Sequence, residues 1–352
     1  MGRDSGVGLL RKRSAYLDED DVRVRAGKGS RPRTRRRPAH ENATEAFVVN
    51  VDRGRYGCLI SDPHSGERMI TAMKARELGR NSVVVGDRVA LAGDTSGSAG
   101  SLARVVRVEE RVSVLRRSPD DTDPTERVVV ANAQRMVIVC ALADPEPNTR
   151  FVDRCLVAAY DAGLEPLIAL TKGDLASPRK IRDFYRPLGV SMLTTRQPVP
   201  AVTLSRLRRQ LEGHISVLIG QSGVGKSSLV NALIPDADRA VGRVNAVTGK
   251  GRHTSSSAIA LRLPSEGKGP APGSEPGWLI DTPGVRGFGL GHVTPNRLAD
   301  AFGDLAEGTA ECPPGCDHLS GGCALDAWSH DHQAQARLDS LRRLLRSRES
   351  AD

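Results

Sequence analysis

No stretch of about 18 or more apolar residues, the length that carries a helix across a bilayer, occurs in the chain. The N-terminus is charged and lacks the apolar core of a secretion signal. Membrane insertion and export are therefore unsupported, and a cytoplasmic address without membrane contact is expected. Cysteine is scarce as well, six in 352 residues. Cys58, Cys140 and Cys155 stand singly among apolar neighbours and read as reduced thiols. A chain of this length can bury two or three cores without a disulfide framework. Only Cys312, Cys316 and Cys323 cluster and ask for a chemical explanation. No internal repeat is present.

Beyond residue 40 there is little net charge. Residues 1–40 hold 12 Lys and Arg against 5 Asp and Glu, most of the overall +9. Such a tail, with RPRTRRRP at 31–38, cannot build a core, yet it can neutralise phosphates and release counterions on nucleic acid. A merely solubilising terminus is the plainer alternative.

From Phe47 the texture becomes β-rich: FVVNV, GCLI, RMIT, DRVAL and LARVVRV, separated by Gly, Asp, Asn and Ser. Five short strands suit an OB-like barrel, an architecture that commonly binds oligonucleotides, although an SH3-like barrel reads almost identically. After Arg117 a polar connector is followed by alternating strand and helix signals: MVIVCAL at 136–142, PLIAL at 166–170, VSMLTT at 190–195 and HISVLIG at 214–220. Uninterrupted apolar strands alternating with helices predict a parallel sheet covered on both faces. Further strands are expected at 258–263 and 278–280, with a Gly/Pro-rich loop over 264–277 between them. Beyond Thr294 the chain reads as helical and closes on an Arg-rich helix near 331–348.

The run GQSGVGKSS at 220–228 follows an apolar strand and opens a helix. In that context Gly220, Gln221, Ser222, Gly223, Val224 and Gly225 turn backbone N–H groups toward phosphate. Lys226 reaches the terminal phosphates, Ser227 ligates Mg²⁺, and Ser228 completes the loop. DTPG at 281–284 supplies an Asp near the metal, Asp281, and an amide for the γ-phosphate, Gly284. TKGD at 171–174 adds the base, through Thr171, Lys172, Gly173 and Asp174. The Asp174 carboxylate can accept from guanine N1–H and its exocyclic amine, where adenine would present a lone pair, so GTP is expected over ATP. An ATPase with an accidental tetrad is the alternative.

Lys172 precedes Lys226 by 54 positions, the reverse of the usual order. All these loops leave the same edge of one sheet, so a circular permutation preserves every contact. With the barrel, TKGD, GQSGVGKSS, GRHTSS at 251–256, DTPGVRGFGL at 281–290 and a Cys/His cluster in that order, about residues 46–330 resemble the RsgA (YjeQ) family of circularly permuted GTPases dependent on the small ribosomal subunit. Departures are Thr171 where the family usually has Asn, and compressed spacing in the Cys/His cluster. The resemblance implies that Thr254 is the switch residue reaching Mg²⁺, with Ser255 and Ser256 as alternatives. It places Val285 where Ras-like proteins carry a water-orienting Gln, so unassisted hydrolysis should be slow. His253 is a candidate water-positioning group, or a surface histidine. Gly223 stands where potassium-activated GTPases commonly carry Asn.

CPPGCDHLSGGC at 312–323 places three thiols and an imidazole within twelve residues. Cys312, Cys316, His318 and Cys323 fit structural tetrahedral Zn²⁺ with no open position. Redox exchange is the alternative, weakened by C-x₃-C spacing, and His330 and His332 are poorer ligand candidates. The expected organisation is multi-domain: a basic disordered tail (1–45), an all-β OB-like barrel (46–115), an α/β circularly permuted P-loop GTPase domain (116–290) and a small α-helical zinc-binding domain (291–352). The expected activity is Mg²⁺-dependent GTP hydrolysis stimulated by the small ribosomal subunit and its rRNA during late subunit maturation, by a monomer. A non-catalytic GTP-sensing RNA-binding assembly factor is the alternative.

Overall fold

The apolar runs of the middle of the chain become neighbouring parallel strands. The computed structural model describes residues 40, 42–62, 66–79, 82–98, 100–118, 126–237, 258–264, 277–282, 288–319 and 321–349. The basic run 31–38, most of the Gly/Pro loop, His253, Thr254, Ser255, Ser256, Gly284 and Val285 lie outside the described residues.

Strands β8 (Arg135–Ala141), β9 (Glu165–Thr171), β10 (Ser191–Thr194), β11 (Ile215–Gly220) and β13 (Trp278–Asp281) pair in parallel, in the order β10-β9-β8-β11-β13. β12 (Ile259–Arg262) adds antiparallel to β13. Both faces of β8 and β11 are buried, which is why these strands carry no polar alternation. Helices α1 (Thr149–Asp161), α2 (Arg179–Tyr185), α3 (Ala201–Leu211) and α4 (Lys226–Leu233) make the crossovers. Asn148 caps α1 by accepting from Phe151 N at 2.9 Å, and the helix buries Phe151, Val152, Cys155 and Leu156 against the sheet.

Strands β1 (Thr44–Asp52), β2 (Arg55–Asp62), β3 (Gly66–Lys74), β4 (Arg88–Gly93) and β5 (Ala103–Val108) close a barrel in the order β1-β2-β3-β5-β4-β1. Its one parallel pair is β3 with β5. This closure is OB-like, as expected, and removes the SH3-like alternative. The polar connector after the barrel holds more structure than its composition predicts: β6 (Val114–Arg117) and β7 (Arg127–Ala131) form a separate hairpin. Their Arg-rich alternation leaves only Leu115, Val130 and Ala131 buried, too few for a strong strand signal.

The barrel and the nucleotide sheet share a seam. β1 pairs with β12 at Asn50 and Ile259, so that eleven strands run continuously. A β-bulge in β1 leaves Val49 without a partner on β2. Val48 stays in the barrel core, whereas Val49 is turned into the core of the nucleotide sheet and is only 2 % exposed. Phe47 and Trp278 stack across the seam with centroids 4.9 Å apart, and Arg262 pairs with Glu67.

After β13 the chain forms α5 (Pro295–Asp300), α6 (Gly303–Thr309), α7 (Leu325–Trp328) and α8 (His332–Glu349). Leu338, Leu341, Leu344 and Leu345 of α8 are buried in the core that also contains α1 and the sheet. The arginines of α8 make contacts within the chain: Arg343 with Asp153, Arg337 with Asp304, Arg342 with Asp326, and Arg348 with Val293 O. Arg343 also lies 4.0 Å over the Phe184 ring. Buried Arg154 of α1 donates to Ser347 O at 2.7 Å and to Phe288 O. Among the described residues no helix is long and apolar enough to cross a membrane.

The bulge gives a direct test of the seam. Val49→Ala is expected to cost about 1–3 kcal/mol, and Val49→Asp to split one thermal transition into separate barrel and sheet transitions in calorimetry. Unchanged midpoints for both variants would show that this side chain does not hold the seam.

Candidate nucleotide site and metal centre

Parallel register brings the expected motifs to one edge despite their inverted chain order. Gly220 lies opposite Val139, Leu218 opposite Asp281, and Thr171 opposite Ala141. The loop at 221–225 therefore stands between the tetrad on one side and Asp281 on the other. Gly225, at φ +89°, turns the loop into α4, a conformation that a side chain would strain. No side chain caps α4 and no acidic residue lies in its first turn, so its leading amides are open to an anion. Lys226 and exposed Ser227 begin that turn.

Lys226 Nζ donates to Asp281 Oδ1, and both side chains are largely shielded, at 14 % and 23 % exposure. Thr282 pins the start of DTPG by donating to Leu218 O at 2.9 Å. A carboxylate and a hydroxyl, Asp281 and Ser227, are the hard oxygen donors that Mg²⁺ prefers.

The tetrad is joined to the phosphate loop by a single side chain. Thr171 is buried and donates from Oγ1 to Val224 O at 2.6 Å. The Thr that departs from the family pattern thus makes a direct bond to the P-loop. Lys172, at φ +56°, reaches the carbonyl of Asp144 in the loop between β8 and α1. Gly173 is closely confined: a Cβ there would sit 2.8 Å from Thr194 Cγ2, and its N–H donates to Thr195 O at 2.9 Å. Asp174 is exposed at the rim, as recognition of a base edge requires.

Two further elements belong to this edge and carry no motif. Thr195, after β10, lies against the tetrad, and Asp144 with Pro145 lies between tetrad and phosphate loop. Their only sequence signal is position: each follows an apolar strand of the same parallel sheet. His253, Thr254 and Gly284 lie outside the described residues.

The Cys/His cluster assembles as its spacing suggests. Ligand atoms of Cys312, Cys316, His318 and Cys323 all lie within 4.8 Å of one another. Cys312 Sγ is 3.7 Å from Cys323 Sγ, and each is 3.6 Å from His318 Nδ1. A tetrahedral ion about 2.3 Å from sulfur and about 2.05 Å from nitrogen requires edges of roughly 3.8 and 3.6 Å, so these residues fit one. His318 Nε2 donates to Asn296 Oδ1 at 2.9 Å, which leaves the Nδ1 lone pair for a metal. Burial pulls the His318 imidazole below its ordinary value and favours the neutral ring. Burial also pushes the Cys323 thiol up to about 12, so a cation is what would draw off its proton. Asn296 was not identifiable from spacing, because it lies on α5, well before the cluster.

The RsgA GTPase family model matches residues 108–291. The small ribosomal subunit biogenesis GTPase RsgA of Pseudomonas aeruginosa is 36 % identical over 280 residues, 77 % of each chain. Its Pseudomonas putida counterpart is 38 % identical over 275 residues, 76 % of this chain and 75 % of that one. Among solved structures, YjeQ from Thermotoga maritima aligns with TM-score 0.61 at 23 % identity, covering 87 % of this chain and 99 % of its own. YloQ, a circularly permuted GTPase, aligns at 0.60 and 22 %, covering 89 % and 98 %. The fold is shared with these two structures, and the family match and curated relatives show that this chain belongs to the RsgA GTPase family.

Proposed function

We propose that this GTPase acts on the small ribosomal subunit during its late maturation and hydrolyses GTP in response to that subunit. The carrying observation is the Thr171–Val224 hydrogen bond, which makes one site of a base-reading tetrad and a phosphate loop. Asp174 and Lys172 hold guanine, with Thr171 and Gly173 shaping the tetrad. Residues 220–228 cradle the phosphates, and Lys226 exchanges its bond to Asp281 for the terminal phosphates. Ser227, Asp281 and Thr254 would hold Mg²⁺, which neutralises charge developing on the transferred phosphoryl group. Gly284 offers its amide to the γ-phosphate, and His253 is the candidate for positioning water. Zn²⁺ in the Cys312, Cys316, His318 and Cys323 shell is structural, because four protein ligands leave no open position.

Functionally the chain divides into a basic tail ahead of β1, the barrel β1–β5 (Thr44–Val108), a GTPase domain that starts with the β6–β7 hairpin and runs to about residue 290, and a zinc-binding domain (291–352). The boundaries expected at 45/46 and 115/116 fall inside β1 and β6, because Thr44 and Glu45 already pair with β4 and Val114 with β7. Barrel residues Arg53, Arg55, Arg76 and Arg104 are exposed and suited to rRNA phosphates, and the first 40 residues add net positive charge. The internal contacts of Arg337, Arg342, Arg343 and Arg348 make α8 a weaker candidate for RNA than its composition suggests. A cytoplasmic monomer accords with this reading.

Asp174→Asn is expected to weaken GTP selectivity and admit xanthine nucleotide, since an amide can donate to the extra base oxygen. Unchanged base preference in competition binding would remove Asp174 from the base site. Cys316→Ala should abolish the stoichiometric zinc found in wild-type protein by elemental analysis, while GTP affinity stays within a few-fold. Wild-type protein without zinc would sink that assignment. Steady-state hydrolysis should be slow for the free protein and rise about 10²-fold or more on small subunits, with the stimulation weakened by salt and lost in Ser227→Ala. Equal rates with small subunits, large subunits and bare RNA would refute subunit-dependent activation. Background rates throughout would favour the sensor.

A further inference from the structure

Among the described residues β10 is the outermost strand of the eleven-stranded sheet, with no strand paired to its outer side, and it is four residues long. Thr195 N bonds back to Leu170 O on β9. Because successive residues of a parallel strand alternate between neighbours, the N–H and C=O groups of Met192 and Thr194 point to the open side. That side is a groove of about 490 Å³ between α2 and α3. Its floor is half-buried Met192, Leu193 and Thr194, and its walls carry exposed Arg182, Arg206 and Arg209. Among the described residues no carboxylate pairs with these three arginines. Arg182 instead donates to Thr194 Oγ1 at 3.0 Å, and Arg209 to Ser205 O at 3.4 Å.

An unprotected strand edge is a template for another strand, and proteins usually blunt it. Here the lining charge is of one sign and the floor is mixed, Met192 and Leu193 beside Thr194, which favours an extended chain of opposite charge over a neutral strand. We infer that β10 is a docking edge for an extended acidic peptide of a partner protein, which adds as a further strand while Arg182, Arg206 and Arg209 read its carboxylates. The alternating backbone groups of Met192 and Thr194 supply main-chain pairing, and guanidinium forks supply charge recognition. Single-stranded RNA fits less well, because no aromatic side chain lines the groove to stack a base.

The edge also touches the base-reading tetrad. Thr194 holds the Arg182 bond on one side and packs against Gly173 on the other. A carboxylate that draws Arg182 from Thr194 therefore alters the seating of the tetrad. This second half rests on the guanine reading of residues 171–174, whereas the docking does not.

The test is fluorescence anisotropy of a labelled peptide, Ac-VDVEVDV-NH2, on the full chain. Binding is expected to saturate and to weaken about tenfold or more in the Arg206→Glu, Arg209→Glu double variant. Unlabelled oligouridylate should not displace the peptide. N-methylation at every second residue should abolish binding in only one of its two phases; any other pattern removes the strand pairing. No binding, equal binding by the charge-reversed variant, or Arg-dependent binding of oligouridylate in place of the peptide would each overturn the proposal. An unchanged melting midpoint of the double variant excludes misfolding as the cause of lost binding. Release of a fluorescent GDP analogue, measured with and without saturating peptide, should shift about fivefold. Unaltered release with intact peptide binding would remove the coupling and keep the docking. Failure of the analogue to bind would instead count against the guanine reading.

Discussion

The constraint on which the molecule depends is the parallel alignment of β9, β8, β11 and β13. Parallel strands end together, so loops that leave their carboxyl ends share one edge wherever they occur in the chain. Asp281, Gly220 and Thr171 become neighbours through register, and Thr171 then fastens its loop to the P-loop at Val224. A chain in which TKGD precedes GQSGVGKSS therefore brings both loops to the same edge all the same. Hydrogen bonds and sheet pairing are indifferent to the order in which their partners were synthesised.

Each flank of that edge continues into a different part of the molecule. β12 is shared between β13 and the barrel strand β1, with Val49 crossing from one core into the other. The segment after DTPG emerges at Phe288, whose carbonyl is held by Arg154, and passes Gly289, whose carbonyl accepts from Ser118 N at 3.1 Å. His292 and Arg297 then meet the buried carboxylate of Asp161 at the end of α1. Packed rigid elements in direct contact are one physical route by which two sites can be coupled. The seam and the clamp around Phe288 each provide one.

Much of this could be read from sequence, because buried parallel strands leave an unmistakable apolar text. MVIVCAL, PLIAL and ISVLIG are strands where the pattern places them, and the barrel's five runs are its five strands. Composition concealed what is decided by tertiary partners. The β6–β7 hairpin reads as polar connector because its Arg side chains alternate with few buried positions. The arginines of α8 suggest an RNA surface, yet several meet acids or carbonyls of the same chain, a pairing that no local pattern announces. In the candidate site, GQSGVGKSS and TKGD were legible from glycine spacing and strand context. Thr195, Asp144 and Asn296 were not, since proximity alone recruits them.

Arg154 has a practical corollary for anyone handling the protein. One guanidinium grips Phe288 O, just beyond the DTPG segment, and Ser347 O, in the last turn of α8. A label or bulky group attached near Ser347 would therefore disturb the contact that also holds the segment after DTPG, and probes for kinetic work are better sited away from that turn.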